Sequence, residues 1–515
     1  MILTLPDIIE NAARSFPKGE AFSCGSDTLT FQELDTKADQ LASYLRSLGV
    51  CKGDRVGVYM DRCLETVIAI YGIMKSGAVY VPLDPLSPQS RTIFLLEDCI
   101  IGHLVTTPKQ TKKIIHIHEV YAGLQSVIGL NDGKLNVSVS WETIFAKDLK
   151  DYDPIPIISS DLAYIMYTSG STGAPKGIMH THHSSLAYAK LSADVYGLLQ
   201  SDRVATHAPL HFDISTFGYF SVPLAGATSV IVPDAYTKMP ASLSSLMEKE
   251  HISIWYSVPL ALIQLLLNGV LEKRDLNALR WVLFGGEVFA PKYLRQLMEL
   301  WPHATFCNVY GPAEINQCTY HHLKTPPHDD EQIPLGKIWR NTAYKIIDTK
   351  DQEVPRGNPG ELVVRTETMM RGYWNNEELT NDSFFKEIVA TGFENTYYRT
   401  GDIVLEKENG DLTFVGRNDR QVKIRGYRVE IDEIEAILIK HDLVTEAVVS
   451  VLDGEIAAAV IPVAKSELTT ADLKGFCQQQ LPSYAVPDHI NFLTDFPRTS
   501  SGKIKRSEIH KIIIG

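Results

Sequence analysis

Residues 54–84 read DRVGVYMDRCLETVIAIYGIMKSGAVYVPLD. Two short apolar runs, DRVGVYM and AVYVPLD, flank a segment with helical periodicity that closes on Gly77. Upstream, FQELDTKADQLASYLRSLGV (31–50) has the same helical spacing and reaches its glycine at Gly49. Strands alternating with helices predict parallel sheets covered on both faces. The strand pattern returns at TSVIVPD (228–234), ISIWYSVP (252–259), ALRWVLFGGE (278–287) and ATFCNVYGP (304–312). Each run is short and apolar and ends in Pro or Gly, as buried strands do where they open into loops. In such sheets ligands bind beyond the carboxyl ends of the strands, so chemistry is expected at those glycine-rich ends.

The texture changes after about residue 340. YKIIDTKDQEVPRGNPGELVVR (344–365) and DIVLEKENGDLTFVGR (402–417) predict antiparallel hairpins, turning at Arg356–Gly360 and Asn409–Gly410. From Gln421 onward QVKIRGYRVE, IDEIEAILIKH, TEAVVSVLDGEIAAAVIP and TADLKGFCQQQLP give a separate small α+β pattern. The expected division is a large domain over 1–418 and a small one over 419–515, with a tight hinge at the seam.

The chain of 515 residues is too long for one hydrophobic core. Its 49 Lys+Arg against 62 Asp+Glu give a net charge of −13, and no basic run tracks a phosphate backbone, so a nucleic-acid partner is not expected. The N-terminal MILTLPDIIENAARSF reads as an amphipathic helix and lacks the plan of a signal peptide. No apolar stretch is long enough to span a membrane. Cys24, Cys51, Cys63, Cys99, Cys307, Cys318 and Cys477 are scattered, odd in number and never spaced C-x-x-C. They read as reduced thiols, and the expected location is cytoplasmic.

YTSGSTGAPKG (167–177) has the materials of a phosphate cradle: small residues that admit backbone N–H groups, several hydroxyls, and a lysine. It is not a Walker A loop, because Pro175-Lys176-Gly177 stands where Gly-Lys-Ser/Thr is required. Alone it could be a solvated Ser/Gly turn. It is followed in order by NVYGPAE (308–314), YRTGD (398–402), GRNDRQVKIRGYRVE (416–430) and PRTSSGKIKR (497–506). Together these resemble the adenylate-forming superfamily: acyl-CoA synthetases, luciferases and adenylation domains of nonribosomal peptide synthetases.

The resemblance implies an α/β fold. A large N-terminal region of layered sheets and helices, with a small β-barrel-like part, precedes a small mobile α+β lid. It also implies ATP and Mg²⁺. Thr168, Ser169, Gly170, Ser171, Thr172 and Gly173 would hold the leaving phosphates, with Lys176 as their mobile partner. Glu314 would hold Mg²⁺, a hard ion suited to carboxylate and phosphate oxygens. The family usually has Thr where this chain has Ala313, which removes one phosphate contact. Tyr310 would stack on adenine, and Gly286 and Glu287 would lie along the purine. Asp402 would accept from the ribose hydroxyls with help from Arg417. Lys503, carried into the site by the lid, would bridge the attacking carboxylate and the α-phosphate in the transition state. Rotation of the lid about Asp419 would then turn Gly426 inward to line a tunnel for a pantetheine arm.

Asp213, in HFDIST (211–216), lies where amino-acid-activating members place an aspartate to pair with the substrate's α-ammonium. Left without a cation, a buried carboxylate there would cost several kcal/mol. The plainer alternative is an N-cap for a helix starting near Ser215. The other pocket positions carry over as Ile214, Phe217, Val258, Leu283, Gly285, Val309, Gln317 and Cys318, with Lys503 completing the set. That lining is apolar or weakly polar, which disfavours ionic side chains; Gly285 is expected to enlarge the pocket. Several stretches look most like stand-alone prolyl-carrier-protein ligases, so a small neutral amino acid, proline first, is the expected substrate. No carrier domain follows Lys503, so the expected acceptor is a phosphopantetheinylated carrier protein supplied separately. An acid–CoA or amide ligase would share the first half-reaction. A non-catalytic nucleotide sensor would have no reason to keep Lys503, Glu314 and Asp402 together.

Overall fold

A computed structural model describes residues 1–515 except 136, 147, 150–152, 171–173, 453, 465, 499–503, 507 and 511–515. The 54–84 stretch folds as strand Arg55–Tyr59, helix Leu64–Lys75 and strand Val79–Pro82, and the two strands pair in parallel, Val56 opposite Tyr80. They lie inside a sheet that runs, edge to edge, Gly372–Tyr373, Lys176–Thr181, Leu162–Thr168, Val79–Pro82, Arg55–Tyr59, His103–Thr106, Ser126–Ile128, Ser138–Val139. The helix is buried along nearly its whole length because its apolar residues go all the way round.

The Phe31–Ser47 helix packs against it. Thr30 and Glu33 close a capping box at its start, the threonine hydroxyl accepting from the Glu33 N–H at 3.2 Å and the carboxylate accepting from the Thr30 N–H at 2.9 Å. Gly72 permits the close approach, since a Cβ there would lie 2.7 Å from Leu41 Cδ2.

A second sheet has nine strands among the described residues, in the order Lys337–Ile338, Thr319–Leu323, Thr305–Tyr310, Trp281–Gly285, Ile254–Ser257, Arg203–Thr206, Thr228–Ile231, Glu20–Cys24, Asp27–Thr30. The five strands from Thr305–Tyr310 to Thr228–Ile231 run parallel. The expected hairpins belong to an antiparallel sheet, five-stranded among the described residues, around the long strand Phe393–Glu406. Phe384–Ala390 pairs with its first half and Leu412–Arg417 with its second. The latter turn is closed by Gly410, at φ +81°, where a glycine is needed.

The chain divides into two compact units. One holds Met1–Pro85, Leu96–Met166 and Gly177–Asn418; the other holds Leu86–Leu95, Tyr167–Lys176 and Asp419–Gly515. The second contains the hairpin Gln421–Ile424/Tyr427–Glu430 and the sheet Val444–Leu452, Glu455–Pro462, His489–Phe492, covered by helices Ile431–Ile439 and Thr470–Gln478. Among the described residues no helix is long and apolar enough to cross a membrane.

Lys75 is the charged centre of the N-terminal helices. Its ammonium meets Asp35 Oδ1 at 2.6 Å, Asp39 Oδ1 at 2.7 Å and Glu10 Oε1 at 3.6 Å, with 4% of the side chain exposed. Burial raises the Asp39 and Glu10 carboxyls despite the lysine's opposing charge. Burial also acts to lower Lys75, but the charges of Asp35 and Asp39 outweigh it and raise the ammonium above its ordinary 10.5. Lys75→Met strips the buried cation from half-buried carboxylates and is expected to cost about 1–3 kcal/mol, read as a fall in denaturant midpoint. A group raised in the folded state stabilises fully below its unfolded value and loses that contribution as pH rises through the folded one. The gap between wild type and variant is therefore constant near neutrality and narrows above pH 10.5.

Candidate active site

The carboxyl ends of the parallel strands supply the backbone of the site. Ile254–Ser257 leads into Val258, which precedes the helix Pro259–Asn268. Trp281–Gly285 leads into Gly286, at φ +95°, beside Val258 Cγ1. Glu287 turns toward that helix, its carboxylate accepting from the Leu260 N–H at 3.1 Å. Thr305–Tyr310 leads into the loop that carries Glu314.

That loop doubles back tightly. Cys318 N–H donates to Tyr310 O at 2.9 Å and Ile315 N–H to Pro312 O at 3.0 Å, while Asn316 takes φ +57°. Gly311 is required at the crossing, because a Cβ would lie 2.4 Å from Asn316 O and 2.6 Å from Gln317 Cα. Glu314 is fully buried, and its Oε1 accepts from the Tyr373 hydroxyl at 2.7 Å. Among the described residues no group of three or more His, Cys, Asp or Glu could hold a metal ion. A single carboxylate still suits Mg²⁺, which usually keeps waters and takes phosphate oxygens beside one or two carboxylates.

Tyr310, Asp402 and Arg417 come together in the fold. The Tyr310 hydroxyl donates to Asp402 Oδ2 at 2.5 Å, and Arg417 Nη1 pairs with Asp402 Oδ1 at 2.5 Å. Arg417 also stands opposite Asp402 across the strand pair. Burial, helped by the Asp402 charge, raises the Tyr310 phenol far above its ordinary value, so it stays a neutral donor.

Ile214, Phe217, Leu283 and Val309 gather in one apolar cluster with Tyr188, Tyr196, Tyr256 and Trp339. Asp213 is half-buried at its margin, and its charge is felt at the hydroxyls of Tyr164, Tyr188 and Tyr256. The helical turn does begin at Ser215 and widens to a π turn over Phe217–Ser221. Its start is tied by main chain: the Asp213 carbonyl accepts from the Thr216 N–H at 3.0 Å and hydroxyl at 2.6 Å. Gln317 Nε2 donates to the Tyr196 hydroxyl and, at 3.2 Å, to Thr319 O. Cys318 packs apart from that cluster, with Tyr310 and Ile315.

One expectation is overturned. Gly285 does not widen a pocket; the direction its Cβ would take is filled by Val309, whose carbonyl oxygen would lie at 2.2 Å. Parallel pairing of Gly285 with Val309 brings the two backbones together there.

In the second unit, Ser169 Oγ donates to Arg428 O at 2.9 Å, and the Thr168 hydroxyl, next to it in the chain, is buried with no hydrogen-bond partner among the described residues. Gly170 accommodates Ala174 O, which a Cβ would meet at 2.1 Å, and Lys176 opens the strand that follows. Asp419 Oδ1 accepts from the Gln421 N–H at 3.1 Å. Gly426, at φ +82°, and Arg425, at φ +54°, form the two-residue turn of the Gln421–Glu430 hairpin. Ser171, Thr172, Gly173 and Lys503 lie outside the described residues.

Sequence reasoning passed over Tyr188, Tyr256, His180 and Tyr373. The two buried cluster tyrosines look like ordinary core in the chain. His180 lies just past the glycine-rich stretch, with nothing in its spacing to mark it.

Two family models match the chain: AMP-binding enzyme over residues 9–374, and AMP-binding enzyme C-terminal domain over 433–503. Tyrocidine synthase 2 of Brevibacillus parabrevis is 32% identical over 99% of this chain, which spans only 14% of that protein's length. The L-proline–[L-prolyl-carrier protein] ligase of Pseudomonas fluorescens is 30% identical over 97% of both chains. Among solved structures, the amide bond synthetase McbA from Marinactinospora thermotolerans superposes with a TM-score of 0.85 over 99% of both chains at 22% identity, a likeness of fold.

Gly311→Ala tests the tight loop. The added methyl must push against main chain, so the variant is expected to lose about 1–3 kcal/mol of stability, read as a fall in denaturant midpoint.

Proposed function

This chain belongs to the AMP-binding enzyme family, and from that premise we propose that it activates a small neutral amino acid, proline first, to the aminoacyl adenylate. The acyl group then passes to the phosphopantetheine thiol of a separate carrier protein. The observation that carries the substrate reading is the place of Asp213: a half-buried carboxylate at the margin of a cluster formed by Ile214, Phe217, Leu283, Val309 and buried tyrosines. An α-ammonium offers that carboxylate a partner, and the lining offers an ionic side chain none.

In this reading ATP supplies the electrophilic α-phosphorus, and Mg²⁺ neutralises charge on its phosphates. The chain's residues position and donate. Asp402, oriented by Arg417 and Tyr310, accepts from the ribose hydroxyls. Glu314 offers one carboxylate to the metal. Lys503 bridges the attacking carboxylate and the α-phosphate, where charge grows only in the transition state. The loop from Thr168 to Lys176 receives the leaving phosphates with its backbone N–H groups and hydroxyls. The 30% identity to a prolyl-carrier-protein ligase of nearly equal length supports both the substrate and the acceptor.

Pyrophosphate exchange across the amino acids tests this directly, with proline expected to give the largest signal among small neutral ones. Asp213→Ala is expected to abolish exchange with α-amino acids. If the variant still prefers an amino acid to its des-amino analogue, Asp213 is not the ammonium partner.

The second half-reaction needs room for a long thiol arm where adenylation needs a lysine. Asp419 is the hinge of the lid in this reading. Gly426 lines the tunnel for the arm, but its turn already demands a glycine, so a larger residue there would test both roles at once. Asp419→Pro separates the half-reactions, because it fixes φ at the hinge. Exchange is expected to stay within about threefold of wild type while carrier loading falls more than tenfold, a loss of more than about 1.4 kcal/mol. Equal losses in both would remove the hinge.

A further inference from the structure

Strand Lys176–Thr181 pairs with the short strand Gly372–Tyr373, Ile178 opposite Tyr373 and Met179 opposite Gly372. The two strands deliver two polar side chains to the loop that carries Glu314. His180 is 1% exposed; its Nε2 lies 2.9 Å from Ala313 O and its Nδ1 3.2 Å from Ser184 Oγ. A carbonyl can only accept, so Nε2 carries the proton and Nδ1 accepts from the serine. The ring leans on Tyr164, centroids 5.1 Å apart. Tyr373 is 3% exposed and donates to Glu314 Oε1.

The main chain of the same loop is tied just as closely. Met370 N–H donates to Glu314 O at 2.7 Å and the Thr368 hydroxyl to Ile315 O at 2.7 Å. Three consecutive carbonyls, of Ala313, Glu314 and Ile315, are each held by a donor distant in the chain: His180 from one segment, Met370 and Thr368 from another. An ordinary buried turn satisfies its carbonyls with whatever lies nearest. Here the donors fix one peptide and one carboxylate oxygen together, in a chain whose residue 313 lacks a hydroxyl of its own.

We infer that His180 and Tyr373 are positioning residues for the Glu314 carboxylate. His180 sets the height of the Ala313–Glu314 peptide through its N–H bond to the Ala313 carbonyl, and Tyr373 sets the carboxylate's rotation through Oε1. This rests on the proposed role of Glu314 in holding Mg²⁺. Outer partners of a metal-binding carboxylate typically account for 10–100-fold in metal affinity or activity.

The test reads metal coupling without turnover. Calorimetry with α,β-methylene-ATP gives the Kd with and without Mg²⁺, and the ratio is the tightening due to the metal. His180→Phe keeps an aromatic ring beside Tyr164 but removes the donor; Tyr373→Phe removes only the hydroxyl. Each is expected to reduce the Mg²⁺-dependent tightening about tenfold or more while metal-free binding stays within about twofold. His180→Gln, whose side-chain N–H can reach the same carbonyl, is expected to recover most of it. Glu314→Gln is the reference and is expected to abolish it. If the tightening survives in Glu314→Gln, the metal-holding reading itself is overturned. If it is lost there but intact in both Phe variants, the positioning inference alone is overturned. If metal-free binding falls as much as metal-dependent binding and His180→Gln gives no recovery, the residues only fill space, and the inference is overturned as well.

Discussion

The parallel pairing of Trp281–Gly285 with Thr305–Tyr310 is the constraint on which the candidate site depends. Its register sets Gly285 against Val309, and the backbones come so close that a methyl on Gly285 would strike the Val309 carbonyl. Beyond that pair both strands must leave the sheet. One does so through Gly286 in a left-handed conformation, the other through Gly311 and the folded-back loop to Gln317. Val258, Gly286 and the loop that carries Glu314 thus issue from neighbouring strand ends, where a parallel sheet stops burying its own backbone.

Burying a carboxylate at the site has structural consequences. Glu314 is fully inaccessible, and such a group needs hydrogen bonds to be tolerated. Tyr373 supplies one, and His180, Met370 and Thr368 hold the adjoining carbonyls. Burial pushes the His180 imidazole down to about 4, so near neutrality it is an uncharged donor that adds no cation beside the carboxylate. Asp402 is treated differently: it is paired with Arg417 and bonded by Tyr310, with both oxygens engaged. Two buried acids are thus held differently: Glu314 accepts from the Tyr373 hydroxyl, while Asp402 is paired with Arg417 and accepts from Tyr310.

The second unit is tied by charge as well as by its apolar core. Glu435 receives Arg420 Nη2 at 2.7 Å, Arg506 Nη1 at 2.5 Å and the Val449 N–H at 2.7 Å. Burial alone would raise its carboxyl, but the arginines and that N–H bring it below its ordinary value. Arg420 directly follows Asp419, and Arg506 belongs to the basic C-terminal motif, so one carboxylate joins the two ends of this part of the chain.

The sequence alone determined the βαβ pattern of 54–84, the succession of parallel strands and the hairpins after residue 340, because apolar period and glycine position are local properties. It also determined the family, because motifs in a fixed order are read directly from the chain. Those motifs also singled out Tyr310, Asp402 and Arg417, but that the tyrosine hydroxyl bonds the Asp402–Arg417 pair emerged only in the fold. Tertiary structure decided what depends on register and on distant segments. Gly285 looked like added pocket space, but the missing Cβ makes room for Val309 on the neighbouring strand. The helical turn expected near Ser215 forms, and the Thr216 N–H and hydroxyl both donate to the Asp213 carbonyl at its start. His180 and Tyr373 carried no signal of their own. They reach the Ala313–Glu314 peptide only because a two-residue strand pairs with Lys176–Thr181, and pairing between segments so far apart in the chain has no local signature.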